Sequence, residues 1–116
     1  KDLWFKKLNT FINDDMTILE IGSGSGKGNQ NQLYPNSSKI YGIDLDKRVL
    51  HNPYLYNAKC ISAYQISKNF DSINFDVIYS HMVVEHIDNP DLFLTNQFKK
   101  LKKDGVLIHS TVSKFF

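Results

Sequence analysis

Cysteine is nearly absent. Cys60 stands alone, which excludes an intrachain disulfide and leads us to expect a reducing, cytoplasmic location. No apolar run approaches the ~18 residues of a membrane span, and the first residues are amphipathic, without the apolar stretch of a secretory signal. Neither charge sign dominates: a net charge of +2 over 116 residues is too mild to imply nucleic acid or a membrane as partner. Proline occurs three times, and each reads as a boundary: Pro35 and Pro53 end helices, and Pro90 begins one. Repeats, low-complexity tracts and interdomain linkers are missing, so one domain over 1–116 is expected. Its hydrophobic fraction of 41% suits a globular chain with a modest core. The chain opens on Lys1 and stops just after a strand-like run, as expected of a piece of a longer protein.

What is present is concentrated. An apolar run, Ile18-Leu19-Glu20-Ile21, leads into Gly22-Ser23-Gly24-Ser25-Gly26-Lys27-Gly28, with glycine at every second position. That pattern predicts a buried strand (Thr17–Ile21) turning through a glycine loop into a helix over about Lys27–Leu33. Upstream, Leu3, Trp4, Leu8, Phe11 and Ile12 recur at helical spacing and predict an amphipathic helix over 2–12. Further strands are expected over Lys39–Asp44, Ala58–Ser62, Phe75–Ser80 and Val106–Val112. A short helix over Lys47–His51 is expected behind Asp46 as N-cap. Another is expected over Pro90–Lys102, its apolar face made of Leu92, Phe93, Phe98 and Leu101, with Lys103-Asp104-Gly105 as its C-terminal turn. Strands alternating with helices, several continuously apolar, predict a parallel sheet covered on both faces. Ligands of such sheets bind beyond the carboxyl ends of the strands, so Glu20, Asp44, Ser62 and Ser80-His81 are expected along one cleft.

The glycine spacing narrows the ligand. A dinucleotide fingerprint needs Gly-x-Gly-x-x-Gly, but the third position falls on Lys27 or Asn29. A P-loop would need glycine at Ile21 and a hydroxyl at Gly28. Glu20, directly before the loop, would repel phosphate. Asp44, 22 residues after Gly22, stands about where an acid binds a ribose diol. A phosphate-free nucleoside with an amino-acid tail, its ammonium attracted by Glu20, fits these charges.

These segments resemble the class I S-adenosylmethionine-dependent methyltransferases. Glu20-Ile21-Gly22-Ser23-Gly24-Ser25-Gly26 looks like their first motif, and Tyr41-Gly42-Ile43-Asp44-Leu45-Asp46 like their ribose motif. Phe75-Asp76-Val77-Ile78-Tyr79-Ser80 is similar to their fourth strand. Val84-Glu85-His86-Ile87-Asp88-Asn89-Pro90 is similar to the Glu-His segment of a small-molecule branch that includes quinone biosynthesis. Lys100-Leu101-Lys102-Lys103-Asp104-Gly105-Val106-Leu107 looks like the entry to strand five. The resemblance covers roughly 15–112. It implies a Rossmann-like, doubly wound parallel α/β sheet of about five strands, order 3-2-1-4-5, with helices on both faces but without the family's C-terminal hairpin. It also implies S-adenosylmethionine as cofactor and methyl transfer to an oxygen or nitrogen nucleophile of a small-molecule acceptor.

By position, the resemblance gives Gly22, Ser23, Gly24 and Gly26 to the methionine part of the cofactor and Asp44 to the ribose. Leu45 packs on the adenine, Ser62 and Ala63 meet its edge, and Ser80 and His81 border the sulfonium. Ser62 departs from the acid usual at its position, and Lys103-Asp104-Gly105 from the usual Pro-Gly. His81, Glu85 and His86 are candidates for the acceptor side, where a histidine can take a proton from a hydroxyl. A structural pair fixing the loop after strand four is the alternative for Glu85 and His86. The His-x-x-x-Glu-His spacing is not that of zinc hydrolases, and no metal is expected. Trp4, Tyr54 and Tyr56 read as packing or surface residues, His51 and His109 as surface or edge residues, and Cys60 as a small buried residue. A cofactor-fold module without catalysis, or one part of a larger enzyme, is the alternative overall; the glycine spacing argues against a nicotinamide oxidoreductase.

Overall fold

The computed structural model describes residues 2–27 and 39–111. Five strands form one sheet: β1 (Thr17–Ile21), β2 (Lys39–Ile43), β3 (Asn57–Lys59), β4 (Phe75–His81) and β5 (Leu101–Ser110). Their order is 3-2-1-4-5 and every pairing is parallel, so the sheet is the doubly wound one expected. Helix α1 (Asp2–Asn9) covers one face; α2 (Ile66–Asn69) and α3 (Pro90–Phe98) cover the other. Among the described residues, three short 3₁₀ turns, Lys47–His51, Ala63–Gln65 and Val84–His86, lie in the connections.

Burial on both faces explains the continuous apolar runs. Ile18, Ile40, Val77 and Tyr79 pack with Leu8 of α1, while Leu19, Ile21, Ile43 and Ile78 pack with Ile66, Phe70 and Phe93 on the opposite side. Tyr41, Phe70 and Phe75 meet edge to face, with ring centroids 5.3–5.9 Å apart. Chain direction diverges between β1, which leads to β2, and β4 on its other side. Ile21 is in register with both Ile43 and Ser80, which sets three strand ends level at that crevice.

Several boundaries differ from expectation for local reasons. Helix α1 stops at Asn9, where the Thr10 hydroxyl donates to Lys7 O at 2.6 Å and tightens the last turn. Leu3 is 82% exposed and Phe11 is also at the surface, while Phe5 joins the packing. Strand β3 ends at Lys59, and Ser62 instead opens a 3₁₀ turn leading into α2, which the sequence did not announce. Helix α3 ends at Phe98 because Lys100 O already accepts from Phe75 N at 2.8 Å, so the chain has entered the sheet. Lys103-Asp104-Gly105 therefore lies inside β5, not at a helix end. There 102–105 bulge between the pairs Phe75–Leu101 and Val77–Val106. The expected helix over Lys27–Leu33 extends beyond the described residues, and Val112 lies outside them too. Among the described residues no helix is long and apolar enough to cross a membrane.

Candidate functional site

The glycine loop leaves β1 in left-handed backbone: Gly22 has φ +81 and Gly26 φ +86. Sterics add to this at both positions. A Cβ on Gly22 would stand 2.7 Å from the Val83 side chain, and one on Gly26 would stand 2.7 Å from Asn52 Oδ1. Gly22 N and Ser23 N both donate to Ile43 O, at 2.8 and 3.1 Å, which ties the loop to the end of β2. Ser23 is buried with its hydroxyl turned back to Glu20 O, so its side chain supports the loop rather than lining a cleft.

Asp44 stands at the centre of this end of the sheet. Its Oδ2 accepts from Gly24 N at 2.8 Å and its Oδ1 from Asp46 N at 2.9 Å. A carboxylate has about four acceptor positions, so two such bonds fix the group in place and leave capacity for a diol. Asp46 accepts from Arg48 N at 2.9 Å as the N-cap of the 3₁₀ turn. The side-chain bond from the Arg48 guanidinium holds its carboxyl down at about 2.

Beside Asp44 opens a cavity of about 540 Å³. One wall carries Gly22, Asp44, Leu45, Ser62 and Ala63. Leu45 is 75% exposed, an apolar surface left open among the described residues, and its carbonyl accepts from Cys60 Sγ at 3.3 Å. Cys60 itself is only half-buried. Ser62 Oγ accepts from Tyr64 N and Gln65 Oε1 accepts from Ser62 N, each at 3.1 Å, a capping box that fixes the backbone of this wall. The other wall carries His81, Met82, Val83, His86 and Asp88.

Of the expected site residues, Gly22, Asp44, Leu45, Ser62, Ala63, His81 and His86 come together around this cavity. Gly24 and Gly26 lie in the adjoining loop, and half-buried Glu20 pairs with Gly42 and Tyr79 in the sheet. Ser80 faces away: it is fully buried, with its hydroxyl 2.6 Å from His109 Nδ1. His109, expected at the surface, belongs to a chain of interior bonds. Gln97 Nε2 donates to Phe93 O, so Gln97 Oε1 accepts from His109 Nε2 at 2.6 Å, and Ser80 donates to Nδ1. Burial pushes the imidazole down to about 4.

The loop after β4 is anchored on its outer side. His81 stacks on Trp4, with centroids 5.3 Å apart and planes 14° apart, and its Nδ1 is 2.7 Å from Ser110 Oγ. Glu85 is exposed; Thr111 Oγ1 donates to its Oε1 at 2.7 Å. Its own backbone amide, then Thr111, hold its carboxyl below the usual range. Glu85 thus binds the loop to the end of β5, while His86 reaches the cavity. Met82, directly after His81, has φ +63. Among the described residues no group of three or more His, Cys, Asp or Glu side chains is placed to hold a metal ion.

Sequence reasoning missed Asn52. It is buried, and its Nδ2 donates to Ser23 O and Gly24 O, both at 3.2 Å, while Oδ1 accepts from Tyr54 N. Its bond to Tyr54 N is local, but the two bonds that hold the glycine loop reach 28 and 29 residues along the chain and leave no local signal.

Comparison with known proteins follows the same lines. A ubiquinone biosynthesis O-methyltransferase of Candida albicans is 28% identical over 115 residues, covering 90% of this chain and 35% of that one. A phosphoethanolamine N-methyltransferase of Haemonchus contortus, solved with S-adenosylhomocysteine, superposes with a TM-score of 0.72. It is 20% identical over 92% of this chain and 27% of its own. The [4+2]-cyclase SpnF superposes with a TM-score of 0.75 at 16% identity, over 92% of this chain and 44% of its own. The chain spans less than half the length of these curated and solved relatives. The methyltransferase-domain family matches residues 1–116, and the chain belongs to that family.

Proposed function

We propose that this chain forms the cofactor-binding part of an S-adenosylmethionine-dependent methyltransferase whose acceptor is an oxygen or nitrogen nucleophile on a small molecule. The observation that carries it is Asp44, fixed by two backbone amides at the switch point, between a left-handed glycine loop and the cavity. Asp44 accepts the ribose hydroxyls, and exposed Leu45 stacks against the base. The backbone at Ser62–Ala63 meets the base edge. The loop from Gly22 to Gly26 admits the methionine portion, with Glu20 attracting its ammonium through water. When bound, S-adenosylmethionine supplies an electrophilic sulfonium methyl; the residues around it align the nucleophile and exclude water. His81 and His86 face the acceptor and accept its proton, while Glu85 fixes their loop. The relatives named for O- and N-methylation are consistent with either nucleophile. Lone Cys60 supports a reducing, cytoplasmic setting.

Calorimetric titration with S-adenosylhomocysteine tests this: binding by the intact protein that Asp44→Ala abolishes is expected, and absence of binding would sink it. A second reading is a cofactor-fold module without methyl transfer. It is favoured by the likeness to a [4+2]-cyclase, since one fold hosts unrelated chemistries. Labelled methyl groups that appear in a product of a protein-depleted cell extract supplied with labelled S-adenosylmethionine, and only when the protein is added, would reject that reading.

A further inference from the structure

Tyr64 joins the two walls of the cavity. It follows Ser62–Ala63 on the base-side wall, where the capping box fixes its backbone amide to Ser62 Oγ. Its phenol oxygen accepts from Asp88 N and from Asn89 N, both at 3.1 Å. Those two amides close the acceptor-side loop, immediately before α3, whose N-cap is Asn89. A phenol oxygen has two acceptor positions, and this loop occupies both. A second tie runs in parallel: Ser67 N and Oγ reach Asn96 Oδ1 at 3.1 and 2.8 Å, fastening α2 to the middle of α3. The segment 62–69 is therefore attached to α3 at two points, and the point next to the cavity is Tyr64.

We infer that Tyr64 is a positioning residue that couples the cofactor wall to the acceptor loop: a nucleoside settling against Ser62–Ala63 orders residues 84–89 through the phenol oxygen. The inference rests on the cofactor reading above and adds a regulated order to it. The base-side wall forms first and presents His86 and Asp88 in fixed positions. No contact between Tyr64 and the methyl acceptor is required.

Amide hydrogen exchange followed by NMR, with S-adenosylhomocysteine as probe, tests it. In the wild-type chain the probe slows exchange at 62–64 and also at 84–89. Tyr64→Phe keeps the ring and removes only the oxygen. Loss of the two bonds speeds ligand-free exchange at Asp88 and Asn89 about three- to tenfold. In this variant the probe then protects 62–64 alone. Ser67→Ala, which removes the hydroxyl from the parallel tie to Asn96 and spares Tyr64, keeps probe protection at both 62–64 and 84–89; it carries the test if Tyr64→Phe does not fold, and loss of protection at 84–89 in it overturns the assignment to Tyr64. Protection of 84–89 by the probe in Tyr64→Phe equal to wild type overturns the coupling. Failure of the wild-type chain to bind the probe overturns the cofactor reading instead, and is told apart because the coupling result requires binding at 62–64.

Discussion

Asn52 and Gly26 fit against each other as a pair: the Asn52 carboxamide occupies the space a side chain at Gly26 would fill, with Oδ1 2.7 Å from that Cβ position. The same carboxamide carries the carbonyls of Ser23 and Gly24. The shape of the loop is thus set from behind by a residue in the connection after β2. Asn52→Ala leaves two carbonyls and the Tyr54 amide without this partner and should lower stability by about 1–3 kcal/mol. Asn52→Asp should do no better, because a carboxylate cannot donate to the carbonyls. Urea denaturation measures the first effect. Titration with S-adenosylhomocysteine should show weaker binding in both variants even where they remain folded.

Asp44→Asn separates charge from shape. The amide keeps one acceptor oxygen for Gly24 N or Asp46 N but loses the charge that strengthens bonds from a diol. Hydrogen bonds to a charged group contribute roughly 1.5–3 kcal/mol, so affinity for S-adenosylhomocysteine should fall by about tenfold or more. Asp46→Asn is the control. Asp46 is engaged with Arg48 at the surface and Asn is as good an N-cap, so binding should stay within about twofold of wild type. Calorimetry on both variants decides whether the carboxylate at the strand end, rather than negative charge in its vicinity, holds the ligand.

The sheet was legible where its strands are short apolar runs closed by polar residues, as in β1, β2 and β4; β3, Asn-Ala-Lys, and the polar start of β5 carry no such pattern and their bounds were displaced. The cavity wall that holds Asp44 and Gly22 was legible for the same reason: both follow their strands directly. What hydropathy could not show was an interior built from satisfied polar groups. Asn96 and Gln97 are buried on α3 while Leu92 and Phe98 are exposed, since Asn96 is bonded to Ser67 and Gln97 to His109. Ser80 was expected on the cleft because it ends its strand, but alternation puts it on the side of Ile78, toward α3, where its hydroxyl meets His109. Asn52 and Tyr64 act on segments at least 24 residues away in the chain, and local pattern carries no trace of such pairs.

Met82 sits in left-handed backbone at the cavity wall, with φ +63 and 40% exposure. That conformation costs an ordinary side chain roughly 1–2 kcal/mol, and asparagine tolerates it better. Met82→Asn should therefore raise the unfolding free energy by about 0.5–1 kcal/mol, whereas Met82→Ala, which keeps the Cβ conflict, should not. On the proposed function, with the thioether on the acceptor wall, the more stable variant should also transfer methyl groups more slowly. Thermal melts and turnover of a labelled acceptor, measured side by side, would show strain retained for function; equal turnover would leave Met82 a simple turn residue.

His109 gives the fold a directional response to pH. Its imidazole is neutral inside the Ser80–His109–Gln97 chain and titrates at about 4, against about 6.5 in an unfolded chain. Between those values the unfolded state binds a proton that the folded state refuses. The stability due to His109 is thus complete above pH 6.5 and is lost as pH falls toward 4, below which it changes no further. Discounted for the part of the ring that meets solvent, the loss is about 2 kcal/mol. His109→Gln retains a polar side chain and removes the titration, so its unfolding free energy, although lower at pH 7, should vary less from pH 7 to 4.5. Urea melts at pH 7, 5.5 and 4.5 on both proteins read this difference directly. Parallel pH profiles for the two would mean that the interior chain between β4, β5 and α3 does not depend on a neutral histidine.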